Sequence, residues 1–142
     1  MLLGQFSLKV DEKGRFFLPA KYRPTFADGL VLTKNQERSL AIWTPTQFEA
    51  QAARIMAGLK TLREQRDFQR GYASAASEQA PDRQGRVVIP QVLRDYAGLD
   101  KDIVVIGAMD RLEVWDAAAW AAGEGDLDQA FAELDQEVGP VT

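Results

Sequence analysis

Neither cysteine nor histidine occurs in this 142-residue chain. Without cysteine there are no disulfides and no thiolate nucleophiles; without either residue the usual zinc sites and every histidine-based triad are excluded. Hydroxyl nucleophiles such as Thr33, Ser74 and Ser77 have no imidazole to activate them, so an enzyme is the least expected class. No carboxylate spacing signals a metal site, and no metal, cofactor or small-molecule substrate is expected. Long apolar runs are lacking too. None approaches the ~18 residues a membrane span needs. The opening MLLGQFSLKV has neither the basic flank nor the apolar length of a secretory signal. The expectation is a cytoplasmic protein with no membrane partner.

Basic charge is scarce: 17 Lys and Arg stand against 21 Asp and Glu, a net of −4. Averaged over the chain, this argues against nucleic acid as a partner. The distribution of charge points the other way. From Trp120 onward there are six acids (Glu124, Asp126, Asp128, Glu133, Asp135 and Glu137) and no Lys or Arg, which leaves the rest of the chain at net +2. Residues 1–26 alone reach +3, through Lys9, Lys13, Arg15, Lys21 and Arg23 against Asp11 and Glu12. A basic face is compatible with an acidic total.

The dominant signal is an internal repeat. Residues 11–23, DEKGRFFLPAKYR, align with 82–94, DRQGRVVIPQVLR. Asp11 meets Asp82, Gly14 meets Gly85, Arg15 meets Arg86, Pro19 meets Pro90 and Arg23 meets Arg94. One residue further out of register, Leu40, Ile42, Trp43 and Phe48 meet Leu112, Val114, Trp115 and Trp120. Each copy reads as a strand, a tight turn opened by Asp and closed by Gly, and a short β-branched or aromatic strand (Phe16–Leu18, Val87–Ile89). Pro19 and Pro90 then open short helices over about 20–26 and 91–97, ended by Gly29 and Gly98. A hairpin follows in each copy (30–33 with 40–43, 103–106 with 112–115), and then a helix N-capped by Thr44 or Asp116. The spacing of Phe48, Ala52, Ile55, Leu59 and Leu62 predicts a long amphipathic helix interrupted at Gly58. Gly123 and Gly125 are expected to break the last helix.

The pattern D-x-x-G-R-x-x-[LI]-P, with Arg four residues on, resembles the swapped-hairpin (SpoVT-AbrB) domain of the AbrB/MazE-type transcription regulators. Two copies in a chain of this length resemble the MraZ family, over Leu3 to about Leu134. The resemblance implies an α+β, mainly β fold, in which two swapped-hairpin repeats form an intrachain pseudo-dimeric β-barrel with flanking helices. The segments would be residues 3–48 (first repeat), 49–72 (connecting helical segment), 73–120 (second repeat) and 121–142 (acidic helix and tail). It also implies a ring-shaped homo-oligomer that binds double-stranded DNA at promoter repeats and represses its own division and cell-wall operon, at the nucleoid. Its DNA contacts carry over to Lys13, Gly14 and Arg15, and to Arg83, Gly85 and Arg86, with the first turn weighted more heavily.

The residues alone leave two readings of Arg15: a fork to phosphate or guanine, or a surface ion pair with Asp11 worth roughly 0–1 kcal/mol. Arg86 with Asp82 poses the same choice. Lys9, Lys21, Arg23 and Arg94 read as braces of the fold or of a subunit contact. Trp43, Trp115, Trp120 and Phe48 read as core or interface anchors, and Arg54, Lys60, Arg63, Arg66 and Arg70 as a solvated helix face. Two other functions share the motif: an antitoxin-type DNA-binding partner of a toxin, and a ring scaffold whose turns contact protein.

Overall fold

The computed structural model describes residues 1–134; Asp135 and Glu137 of the acidic tail lie outside them. The elements follow the repeat. The first copy contributes β1 (Gln5–Lys9), β2 (Arg15–Phe17), a 3-10 turn (Ala20–Tyr22), α1 (Arg23–Phe26), β3 (Leu30–Asn35) and β4 (Ser39–Trp43). The helices α2 (Pro45–Met56) and α3 (Arg63–Ser74) come next. The second copy contributes β5 (Ser77–Gln79), β6 (Arg86–Val88), α4 (Gln91–Ala97), β7 (Asp102–Gly107) and β8 (Leu112–Asp116), and α5 (Ala117–Glu133) closes the described chain.

The strands pair across the repeats rather than only within them. The six-stranded sheet runs β1-β7-β8-β4-β3-β5, and β2 pairs with β6 in a separate ribbon. Thus β1 of the first copy lies on β7 of the second, β5 of the second lies on β3 of the first, and β4 meets β8, all antiparallel. This is the exchanged-hairpin arrangement the family resemblance implied, completed inside one chain. The hydrogen-bonded order of the larger sheet ends at β1 and β5.

Alternation builds a single shared core. Phe16, Leu18, Leu30, Leu32, Leu40 and Ile42 of the first copy and Val87, Ile89, Leu93, Ile103, Val105, Leu112 and Val114 of the second are buried in one cluster. Burying each such side chain stabilises by about 1.5–3 kcal/mol. Neither copy supplies enough of them alone. The outer face of β3 and β4 is covered as well: Thr33 Oγ1 donates to the Tyr72 carbonyl of α3 (2.9 Å), and Trp43 is buried beneath Arg111.

Helix boundaries follow the capping chemistry. Thr44 Oγ1 accepts from Gln47 N–H at 3.2 Å and Asp116 Oδ2 from Ala119 N–H at 3.1 Å. The long helix is divided at Gly58, as its sequence indicates, but more widely than the apolar spacing predicts: α2 stops at Met56 and α3 starts at Arg63, so Leu59 and Leu62 of the expected stripe lie exposed between the two helices. The last helix differs from expectation, because α5 runs through Gly123 and Gly125 unbroken. Each interior glycine costs about 1 kcal/mol relative to alanine, and the seven alanines of α5 help to carry it past both.

Candidate nucleic-acid interface

The two turns ahead of β2 and β6 are built by the same set of hydrogen bonds. In the first, Asp11 N–H donates to the Arg15 carbonyl at 2.8 Å and Gly14 N–H to the Asp11 carbonyl at 3.0 Å. Asp11 Oδ1 accepts from the N–H groups of both Lys13 and Arg15 at 2.9 Å, and Oδ2 accepts from Arg15 Nε at 2.8 Å. In the second, Asp82 Oδ1 accepts from Gln84 and Arg86 N–H at 2.9 Å and Oδ2 from Arg86 Nε at 2.8 Å. Aspartate suits this position because its short side chain reaches the backbone two residues ahead. Donation by the Arg15 N–H, then by the Arg15 side chain and the Lys13 N–H, holds the Asp11 carboxyl below its ordinary pKa. The Arg86 and Gln84 donors do the same for Asp82.

Glycine is required at both turns by conformation and by space. Gly14 and Gly85 both sit at φ +80°. A Cβ on Gly14 would stand 2.8 Å from the Ile89 carbonyl oxygen and 2.9 Å from Arg94 Cζ, and one on Gly85 would stand 2.6 Å from Arg23 Nε. These neighbours come from the opposite repeat. Arg23 Nε donates to the Leu18 carbonyl at 2.8 Å and its guanidinium lies against Gly85. Arg94 Nε donates to the Ile89 carbonyl at 3.0 Å and its guanidinium lies against Gly14. Both residues brace the fold, each under the other copy's turn.

Pairing of β2 with β6 unites the two turns. Arg15 lies opposite Val88, Phe16 opposite Val87 and Phe17 opposite Arg86. Beyond the strands, Leu18 N–H donates to the Gly85 carbonyl (2.9 Å) and Ile89 N–H to the Gly14 carbonyl (2.7 Å). Phe16 and Val87 point into the core, which leaves Arg15, Phe17, Arg86 and Val88 on the outer face. Arg15, Phe17 and Arg86 line a groove of about 350 Å³ together with Lys9 and Lys101.

The structure therefore brings all six candidate residues to one ribbon and its turns. Lys13 and Arg83 are exposed at the tips, and Gly14 and Gly85 are buried. Of the two readings of the turn arginines, the ion pair is present in both copies, with the Arg15 and Arg86 side chains 28% and 24% exposed. Each carboxylate engages Nε, and among the described residues neither arginine donates from Nη1 or Nη2. Lys101 carries no signal in the sequence. It lies outside the repeat motif and reaches the groove because its carbonyl accepts from Val10 N–H at 2.8 Å. Lys9 bridges Asp102 at 2.7 Å on the exposed edge.

The other aromatic and basic residues go elsewhere. Trp115 packs edge-on against Trp120 with ring centres 5.5 Å apart, and Phe48 stacks on Tyr72 at 5.8 Å. Burial pushes the Tyr72 phenol up to about 12. On α3, Asp67 pairs with Arg63 at 3.3 Å and with Arg70 at 3.1 Å, as on a solvated face.

Comparison with known proteins agrees with the repeat. The family model of the antitoxin-like MraZ protein matches residues 1–71 and, separately, 72–138. A protein of Thermobifida fusca named transcriptional regulator MraZ is 52% identical over 140 residues, covering 99% of this chain and 98% of the relative. Proteins of the same name from Cutibacterium acnes (49% identity, 94% of each chain) and Corynebacterium diphtheriae (47%, 96% of each) are also similar.

Proposed function

The chain belongs to the MraZ family of transcriptional regulators, and from that premise we propose that it binds double-stranded DNA through the turns of the β2–β6 ribbon. Lys13, Gly14 and Arg15 form one contact, and Arg83, Gly85 and Arg86 the other. One observation carries this reading: two Gly-Arg turns 71 residues apart stand on one exposed ribbon. A two-stranded ribbon is also an element that the major groove, about 12 Å wide, admits. Arginine Nη groups without a protein partner among the described residues are suited to phosphate or to guanine O6 and N7.

Asp11, Asp82 and Asp102 offset much of the positive charge around the groove. The hold of one protomer is accordingly weak and falls steeply with salt, because each neutralised phosphate releases counterion. A ring of identical protomers over tandem promoter motifs overcomes this, since avidity gains on the order of 10²–10⁴ when spacing fits. That reconciles a net charge of −4 with a DNA partner. Occupied repeats then obstruct RNA polymerase and repress the protein's own division and cell-wall operon, at the nucleoid in the cytoplasm. The repeats 3–48 and 73–120 supply the ribbon; 49–72 joins them, and the acidic 121–142 discourages non-specific contact.

Sequencing the genomic fragments retained by the purified protein tests this reading. Enrichment of motif repeats upstream of its own gene is expected. Retention of all fragments alike overturns sequence-specific binding. Equal affinity for one motif and for several removes the multivalent part.

A further inference from the structure

The outer face of the ribbon is not purely basic. Phe17 is 53% exposed and Val88 44% exposed, and they occupy equivalent positions in the two copies. Single exposed apolar residues are commonplace on protein surfaces. These two differ in their placing. Phe17 lies across the ribbon from Arg86, and Val88 across from Arg15, so an apolar diagonal crosses a cationic one on the same face. Lys9 and Lys101 stand in the groove beside it. The backbone under Val88 is also held firmly: Val88 N–H donates to Gln79 Oε1 at 2.9 Å, and Gln79 Nε2 donates to the Val88 carbonyl at 2.8 Å. The side chain is thus presented from a fixed strand rather than from a loose loop.

We propose that Phe17 and Val88 are specificity-determining residues of this face, packing against thymine C5-methyl groups in the major groove while Arg15 and Arg86 engage phosphate or guanine. The proposal rests on the reading of the ribbon as a duplex-binding element. Complementarity selects this occupant. Three of the four cations that frame the patch are paired with carboxylates, but among the described residues both arginines keep undonated Nη groups and Lys101 has no ion pair, which suits an anionic partner better than a cationic one. Within the major groove of an anionic duplex, the thymine methyl is the apolar group displayed on a base edge. Sequence information then comes from the apolar diagonal as well as from the arginines. Only the arginines and lysines release counterions.

This separation makes the test. A 30-base-pair duplex recovered upstream of the gene is prepared with thymine and again with uracil, which lacks the methyl. Each is titrated with the wild-type protein, with Phe17→Ser/Val88→Ser, which leaves no side-chain methyl or ring on that face, and with Arg15→Ala/Arg86→Ala. The wild type is expected to bind the uracil duplex about fourfold more weakly per contacted methyl. The serine variant is expected to bind both duplexes alike, with the wild-type salt slope and the wild-type assembly mass. Equal binding of both duplexes by the wild type overturns the proposal, as does a serine variant that still discriminates. A serine variant with altered assembly mass and intact discrimination also overturns it, and marks the face as a contact between copies. If the arginine variant loses binding while methyl discrimination is absent, DNA binding by the ribbon stands and only this inference fails. If neither variant alters binding, the reading of the ribbon fails with it.

Discussion

Asp11 and Asp82 do the most at the scale of single residues. Each carboxylate organises a turn and orients an arginine with the same two oxygens. Their pKa values are depressed, chiefly by the backbone N–H of Arg15 and Arg86 respectively. A depressed carboxylate contributes stability that is fully present above its unfolded value of about 3.9 and is lost as pH falls through the lower folded value. Protection of the Lys13 and Arg15 amides, relative to their intrinsic exchange, is therefore expected to hold down to about pH 4 and to fall as pH drops through the depressed Asp11 value. Unchanged protection well below that point would contradict the role given to Asp11. Replacing Asp11 and Asp82 with Asn removes two negative charges beside the arginines and loosens their aim. Affinity for non-specific duplex is expected to rise while discrimination falls, measured by competition between specific and random DNA.

The ribbon and its braces belong to the scale of elements. Arg94 holds the turn of the first copy and Arg23 that of the second. Arg94→Ala is expected to cost about 1.5–3 kcal/mol, as for a hydrogen bond from a charged donor. It should speed amide exchange at Lys13–Arg15 rather than at Gln84–Arg86; the reverse pattern would refute the crossed brace. Gly85→Ala, at φ +80°, is expected to destabilise by about 1–3 kcal/mol from backbone strain alone, read by thermal melting. Much at this scale was legible in the sequence. Asp, Gly and Pro at fixed offsets mark the turns and short helices, and Thr44 and Asp116 mark the caps. The direction of Arg23 and Arg94 was not, because it depends on which copy each arginine lies under. Nor was the β3–β4 turn, where Glu37 and Arg38 adopt φ of 62° and 58° without being Gly or Asn. The continuity of α5 through two glycines also depends on neighbours that local propensity ignores.

Cross-repeat pairing decides the behaviour of the whole molecule. β1, β2 and β4 each find a partner in the second copy, and every layer of the core mixes the two. Residues 1–71 alone are therefore expected to lack a cooperative melt as a monomer, and addition of 72–142 to restore one. A stable monomeric 1–71 would contradict the shared core. The repeat, through the family it resembles, made this architecture readable from sequence, but the convergence of Lys9 and Lys101 on the groove needed the fold. The proposed function turns on two paired turns whose arginines would meet a duplex. The affinity of the intact protein for its promoter duplex as a function of salt, beside that of Arg15→Ala/Arg86→Ala, probes those turns without an intermediary. The variant is expected to keep its fold, to bind more than about tenfold more weakly and to show a slope shallower by nearly one unit for each lost phosphate contact. Equal affinity and an identical slope for the two proteins would contradict DNA binding by the ribbon.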